Sequence, residues 1–114
     1  MRIGALGKMY EDGERIFSQG EVGNCMYIVQ QGEVEVLVEG PDGEIVLTTL
    51  GPGDVFGELA LFTKKPRSAT VRARGKARVL SIDKRGFFKR MHEDPSLAFR
   101  ILKKMSERIQ ELTP

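Results

Sequence analysis

The sequence lacks the features that would place it among secreted, membrane-spanning or strongly nucleic-acid-binding proteins. Its 114 residues include one cysteine, Cys25, so no disulfide can form within the chain, and this fits a reducing compartment. No run approaches the roughly 18 consecutive apolar residues of a membrane span, and residues 1–13 lack the apolar stretch of a signal peptide. The formal net charge of +2 is low for a dedicated nucleic-acid binder. We therefore expect a cytoplasmic protein with no membrane partner.

Residues that commonly carry catalysis are also scarce. The chain has one histidine, His92, whereas a metal-dependent enzyme built on a jelly roll needs several converging histidine, aspartate or glutamate ligands. The sequence offers no pair of a nucleophile and a general base, and Cys25 falls in a strand pattern, where it is expected to be a small buried hydrophobe. We predict that the protein is not an enzyme and holds no metal or cofactor.

The length fits one domain, residues 1–114, and the glycines divide it into two regions. All 13 glycines except Gly86 precede residue 84, where they separate short runs rich in β-branched residues. These runs predict strands at 25–30, 34–38, 44–50, 68–73 and 77–83. Many short strands with regular turns indicate a mainly β fold: a sandwich, a barrel or a jelly roll.

After residue 83 the apolar residues take helical spacing. Two helices are predicted, at about 84–92 and 95–112, the second with Asp94 as its N-cap and Pro95 at its first position. The second helix carries one apolar stripe, formed by Ala98, Leu102, Met105, Ile109 and Leu112. We interpret the first part of this stripe as packing on the sheet. The last two turns are interpreted as a mobile lid or as the seam of a homodimer.

Residues 56–71, FGELALFTKKPRSATV, interrupt the strand pattern and concentrate groups that can bind a phosphate and a sugar. Gly57 lets a ligand approach the backbone, and the first amides of a short helix starting at Glu58 can face an anion. Arg67 offers a planar fork for a phosphate, Ser68 offers a hydroxyl, and Glu58 offers a carboxylate for sugar hydroxyls. The plainer interpretation is a surface ion pair between Glu58 and Arg67, worth ~0–1 kcal/mol.

The whole string resembles the phosphate-binding cassette of the cyclic-nucleotide-binding domain family. That pattern is F-G-E-[LI]-A-L, a variable stretch, and then [PR]-R-[AST]-A-T-V. The resemblance extends from about residue 9 to about residue 110, and includes strand and turn marks at 12–14, Gly20, 26–29, 32–34 and 50–54. It implies a double-stranded β-helix, or jelly-roll β-roll, over about 9–83, with about eight antiparallel strands. A short cassette helix and the two C-terminal helices complete the expected fold.

The resemblance also implies a role for each matched residue in binding cAMP or cGMP. Arg67 is expected to pair with the exocyclic oxygens of the cyclic phosphate, and Glu58 to accept a hydrogen bond from the ribose 2′-hydroxyl. The other implied ligand-binding residues are Gly57, Leu59 and Ala60 around the ribose and phosphate, Ser68 and Ala69 as phosphate donors, Val36 and Leu47 as an apolar wall for the base, and Arg108 stacked on the base. The final helix is expected to close over the ligand.

The ligand and the partners are less sharply defined by the sequence. Ser68 matches bacterial cAMP receptors, so we favour cAMP over cGMP, and no cofactor is implied. The effectors usual in the family, a helix-turn-helix, a kinase or a channel, do not appear in the sequence. The chain is therefore either a stand-alone sensor module for a separate effector protein, or a fragment or relative of a Crp-type transcription regulator or another nucleotide-gated protein.

A nucleic-acid-binding β-domain is the second hypothesis. Arg72, Arg74, Lys76 and Arg78 occupy alternate positions, which places them on one face of a strand and makes that face basic. The plainer interpretation, which we favour without a recognition helix, is a solvated outer face.

Overall fold

The computed structural model describes residues 6–112, and it describes side chains for residues 6–107. Six strands lie in the described part of the chain: β1 (Lys8–Tyr10), β2 (Arg15–Phe17), β3 (Cys25–Gly40), β4 (Gly43–Leu50), β5 (Val55–Phe56) and β6 (Thr70–Asp83). A 3₁₀ helix (Glu58–Leu61) separates β5 from β6, and two helices follow, α1 (Lys84–Glu93) and α2 (Ser96–Leu112). The predicted architecture, mainly β with two C-terminal helices, is confirmed.

All strand pairs are antiparallel, and the two long strands, β3 and β6, pair with each other at the centre of the sheet. The strand order is β1-β6-β3-β4, while β2 pairs with β6 and β5 pairs with β3. The β3–β6 ladder runs from Cys25↔Asp83 to Leu37↔Thr70, with register shifts on either side of Gln31. Such bulges bend and twist a ladder without ending it.

These bulges explain why the described strands number six and not the predicted eight or so. The runs 25–30 and 34–38 form one strand, β3, and the runs 68–73 and 77–83 form another, β6. Gly32 (φ 77°) and Gly75 (φ 71°) lie inside these long strands in the left-handed region. Glycine tolerates that conformation, so each strand turns a corner where the sequence suggested a break.

The strands carry apolar residues on both faces and so divide the interior into two clusters. The roll core lies inside the sheet and consists of Tyr10, Phe17, Val29, Val34, Phe56, Val71, Ala73, Ala77 and Val79. The helix-side core lies on the other face and consists of Met26, Ile28, Val55, Leu61, Leu80, Ile82, Phe87, Leu97 and Ile101. Because neighbouring strand residues point to opposite faces, Ile28 and Val29 enter different cores.

The two C-terminal helices begin at aspartate side chains. Asp83 Oδ1 accepts a hydrogen bond from Gly86 N at 2.7 Å at the start of α1. Asp94 Oδ1 accepts from Ser96 N at 3.1 Å and from Ser96 Oγ at 2.5 Å, and these bonds lower the pKa of the Asp94 carboxyl. Both contacts satisfy amides that a helix leaves unpaired at its first turn.

The apolar stripe predicted for α2 matches only part of the face that is buried. Leu97 and Ile101 are buried in the helix-side core with Met105 packed against them, whereas Leu102 of the predicted stripe is exposed. The sequence contains two overlapping apolar series, 97–101–105 and 98–102–105, and the seating of the helix on the sheet decides which one is covered. The side chains of Ile109 and Leu112 lie outside the described residues.

No helix within the described range is long and apolar enough to cross a membrane. Among residues 6–107 no group of three His, Cys, Asp or Glu side chains is placed to hold a metal ion.

Candidate functional site

A cavity of about 570 Å³ opens between the 56–71 segment and the sheet. One wall is the turn and 3₁₀ helix at residues 57–60, and a second is the returning chain at residues 65–69. Apolar and hydroxyl side chains of the strands form the opposite wall: Phe17, Val36, Thr48 and Leu50. The cavity therefore combines a polar end with an apolar face, as small-molecule sites usually do.

Arg67 places a buried cation at the polar end of this cavity. Its Nη1 donates to Gly57 O and its Nη2 donates to Cys25 O, both at 2.8 Å. The guanidinium carbon lies 4.2 Å from the ring centroid of Phe17 and 5.6 Å from that of Tyr27. The buried Nε has no hydrogen-bond partner among the described residues. The guanidinium is thus held in place while one of its donors stays unsatisfied.

The structure does not contain the surface ion pair between Glu58 and Arg67 that the plainer interpretation of the sequence predicted. Glu58 is 7% exposed and Arg67 is 8% exposed, so both are interior groups. None of the ion pairs between described side chains includes Arg67. A buried guanidinium without a carboxylate partner carries a large desolvation cost, and an anionic ligand would offset that cost.

The 3₁₀ helix orients its residues toward two different environments. Gly57 precedes it at φ 70°, and a Cβ at this position would lie 2.6 Å from Arg67 Nη1. Glycine is therefore required here by backbone conformation and by space. Glu58 and Ala60 line the cavity, whereas Leu61 is buried in the helix-side core. The amide of Ala60 donates within the turn, to Gly57 O at 3.3 Å.

Most of the residues predicted to bind ligand meet at this cavity. Its lining includes Val36, Gly57, Glu58, Leu59, Ala60, Arg67, Ser68 and Ala69. Leu47 does not line it: this side chain is 58% exposed, and Thr48 and Leu50 occupy the wall. The register of β3 and β4 shifts between Val36↔Thr48 and Leu37↔Val46, so Leu47 is the extra residue of a bulge. The side chain of Arg108 lies outside the described residues.

Four further groups surround Arg67 that sequence reasoning missed: the rings of Phe17 and Tyr27, the carbonyl of Cys25 and the space at Gly23. Burial raises the pKa of Tyr27, with a hydrogen bond to Cys25 as the second cause. No spacing in the sequence links these positions to Arg67. Strand pairing places Phe17 opposite Val71 in the ladder of β2 and β6. Backbone hydrogen bonds from Gly20 N to Arg67 O and from Arg67 N to Glu21 O hold the loop after β2 beside Arg67.

The basic face that suggested nucleic-acid binding is largely neutralised. Arg72 contacts Glu35 and Glu44, each at 3.1 Å, and these hydrogen bonds raise the pKa of its guanidinium. Arg74 lies 3.8 Å from Glu35. Two more cations of the face are also engaged, Lys76 with Glu11 at 3.8 Å and Arg78 with Gly7 O at 3.0 Å. A phosphate backbone would have to displace these partners, which removes support from that hypothesis.

A larger cavity, about 690 Å³, lies between α2 and the β3–β5 side of the sheet. Its lining includes Ile28, Val55 and Ile101, together with Lys104, which pairs with Asp54 at 3.0 Å. No residue of the 57–69 stretch lines it. The larger cavity is also lined by an arginine, Arg78, whose buried Nε likewise has no hydrogen-bond partner among the described residues. The smaller cavity is the candidate site because the buried Arg67 and the 57–60 and 65–69 stretches line it.

Fold and site together define a small β-roll with a buried cation beside a cavity. The family model described as the cyclic nucleotide-binding domain matches residues 8–94. The chain therefore belongs to the cyclic-nucleotide-binding domain family.

The chain spans only part of the length of two similar proteins. The cAMP-dependent protein kinase type II regulatory subunit of Drosophila melanogaster is 44% identical over 70 residues, which is 61% of this chain and 19% of the subunit. The catabolite activator protein of Thermus thermophilus superposes with a TM-score of 0.80 at 29% identity, covering 92% of this chain and 50% of the activator.

A third similar protein, the EAL enzyme Bd1971, has been solved with each of two cyclic nucleotides. Its cAMP-bound form is 30% identical and its cGMP-bound form 34% identical, each with a TM-score of 0.67. The chain is covered to 92% and 91% and spans 28% and 29% of those structures.

Proposed function

We propose that the cavity binds a cyclic nucleoside monophosphate, cAMP in preference to cGMP, and that the domain acts as a regulatory sensor without catalysing a reaction. The observation that carries the proposal is the Arg67 guanidinium, buried at the cavity with an unpaired Nε and outside every ion pair of the described side chains. A cyclic phosphate is a monoanion that can accept two parallel hydrogen bonds from such a group. The relatives solved with cAMP and cGMP support the same ligand class.

The remaining cavity residues suit the other parts of a nucleotide. Ser68 and Ala69 follow the guanidinium along the chain and line the cavity, where their amides and the Ser68 hydroxyl can donate to phosphate oxygens. Glu58 lines the same space and can accept from a ribose hydroxyl. Val36 and Leu50 on the opposite wall provide apolar surface for the base.

Removing the ribose 2′-hydroxyl from the ligand tests the role of Glu58. We expect 2′-deoxy-cAMP to bind wild type about ten times more weakly than cAMP, because the carboxylate loses a charge-assisted hydrogen bond. Glu58→Gln should bind cAMP more weakly and discriminate less between the two ligands. Calorimetric titration of both ligands measures this, with the exposed Glu33→Gln as the matched control. Equal discrimination by wild type and Glu58→Gln would remove Glu58 from the ribose contact.

The preference for cAMP is tested by titrating cAMP and cGMP against the same preparation. Ser68, next to Arg67, is the feature that favours cAMP. We expect the dissociation constant for cAMP to be the lower of the two. A lower constant for cGMP would reverse the assignment of the ligand while leaving the class of ligand intact.

The 3₁₀ helix supplies a route from the cavity to the C-terminal helices. Leu61 packs in the helix-side core with Leu97 and Ile101 of α2, and the Phe62 and Phe87 rings meet edge to face at 6.1 Å. A shift of the 3₁₀ helix on ligand binding therefore reaches α1 and α2. We propose that α2 closes toward the ligand, with Arg108 stacked on the base. Binding can favour such a state only through contacts that exist in it alone.

Hydrogen exchange with and without cAMP examines this closure. We expect the amides of α1 and α2 to change protection on binding, together with those of the 3₁₀ helix. Changes confined to the cavity lining would contradict the closure and leave ligand binding itself unaffected.

The effector belongs to the proposal as well, since the chain spans about a fifth of the kinase subunit and half of the activator. We propose that the domain either acts on a separate effector or forms part of a larger nucleotide-gated regulator. The exposed Phe99 and Leu102 on α2 support pairing of two copies through this helix. Sedimentation with and without cAMP checks that pairing.

A further inference from the structure

We propose that Gly23 and Phe17, which lie outside the 56–71 segment, set the ligand affinity of the domain by positioning the Arg67 guanidinium. The proposal rests on the function proposed above. Both residues touch Arg67: Gly23 lies outside the lining of the cavity, whereas Phe17 lines the cavity and also stacks on the guanidinium. Their proposed role is to position Arg67.

Position 23 needs a glycine because Arg67 occupies the space of a side chain, and not because of its backbone conformation. Gly23 is absent from the glycines with positive φ, so an L-residue fits its conformation. A Cβ built there would lie 2.3 Å from Arg67 Nη2 and 2.4 Å from both Cζ and Nε. Real Cβ atoms do not approach heavy atoms so closely. The space that the missing side chain leaves is therefore the space that the guanidinium fills.

Phe17 fixes the face of the same group. Its ring centroid lies 4.2 Å from the guanidinium carbon, a stacking distance at which the ring quadrupole attracts the cation. The ring is itself braced by Tyr27 and Phe56, with centroid distances of 5.5 and 5.9 Å. This packing keeps Phe17 in one position beneath the guanidinium.

Together these contacts restrain the guanidinium on several sides. The Cys25 and Gly57 carbonyls hold the two Nη atoms, Phe17 covers a face, and Gly23 admits the Nη2 end. A side chain that is already ordered loses less rotamer freedom when a ligand binds, which raises affinity without a new contact. Displacing the Nη2 end by one methyl group breaks this arrangement.

The test compares Gly23→Ala and Phe17→Leu with a matched control, Gly51→Ala. Gly51 has an ordinary φ, and nothing lies within 4 Å of a Cβ built on it. In calorimetric titrations with cAMP we expect Gly23→Ala to weaken binding about tenfold or more. Phe17→Leu, which keeps an apolar side chain and removes the ring, should weaken it about threefold to tenfold. Gly51→Ala should stay within about twofold of wild type, inside the spread expected at sites without specific contacts.

A second measurement reports the position of Arg67 directly. The Nε–H proton is buried beside an aromatic ring, so it should give a slowly exchanging, ring-shifted NMR signal in the ligand-free protein. Arg67→Lys identifies this signal by abolishing it. We expect the signal to move or vanish in Gly23→Ala and to stay unchanged in Gly51→Ala.

The outcomes separate this proposal from the proposed function. If wild type binds cAMP and Gly23→Ala binds it as well as Gly51→Ala does, the positioning role is overturned and the function stands. If wild type binds no cyclic nucleotide, the proposed function is wrong, and so is the claim about ligand affinity. If the Nε–H signal of Gly23→Ala stays where it is in wild type, Gly23 does not position Arg67. Should Gly23→Ala not fold, as thermal unfolding would reveal, Phe17→Leu decides by the exchange rate of the Nε–H proton. That rate rises above the wild-type rate if the ring restrains Arg67, and an unchanged rate overturns the positioning role.

Discussion

Arg67→Ala is expected to lower the affinity for cAMP by about a hundredfold or more. A charge-assisted hydrogen bond contributes about 1.5–3 kcal/mol, each 1.4 kcal/mol is a factor of about ten in affinity, and the fork of Arg67 can form two such bonds. The substitution also leaves the bound phosphate in a cavity without its cation. Arg67→Lys keeps the charge but loses the planar fork, so we expect an intermediate loss.

This measurement needs a check on folding, because Arg67 also serves the ligand-free structure. Its removal deprives the Gly57 and Cys25 carbonyls of donors, and a buried unsatisfied carbonyl costs about 1–3 kcal/mol. Thermal unfolding should accompany calorimetric titration. The matched control is Arg74→Ala, whose exposed side chain makes only a 3.8 Å contact with Glu35. A folded Arg67→Ala protein that binds cAMP like wild type would disprove the assignment of the site.

Leu97→Ala is expected to lower the free energy of unfolding by about 2–5 kcal/mol. Leu97 is 1% exposed and lies in the helix-side core with Leu61 and Ile101. Truncation there removes apolar contacts and leaves a cavity that rigid neighbours on the sheet cannot fill. Since Leu61 belongs to the 3₁₀ helix that lines the ligand cavity, we also expect a measurable change in cAMP affinity.

The control for this prediction lies two residues away on the same helix. Phe99 is 69% exposed in the single chain, so at concentrations where sedimentation shows monomers Phe99→Ala should change the free energy of unfolding by no more than about 0.5 kcal/mol. Urea unfolding of the two variants makes the comparison. Equal destabilisation by both substitutions would mean that α2 is not seated through Leu97.

The agreement between sequence and structure is closest where one stretch of chain contains the whole signal. The sequence predicted a phosphate site in residues 56–71, and Gly57, Glu58, Arg67 and Ser68 line one cavity. Asp94 was predicted as a cap and does accept from Ser96 N. Leu47 was placed wrongly because a bulge in the β3–β4 ladder shifts the register by one residue. Such a bulge leaves no mark in the local pattern.

The sequence alone therefore established the family resemblance, a mainly β region followed by two helices, and the identity of the cationic and acidic groups, because these signals come from residues close together in the chain. The folded chain decided which face of α2 is buried, and that β3 and β6 each run through a corner. It also decided that Arg67 is enclosed by Phe17, Gly23 and Cys25, the last lying 42 positions away. Contacts of that kind depend on strand register and on the seating of one element against another, and both are properties of the packed interior.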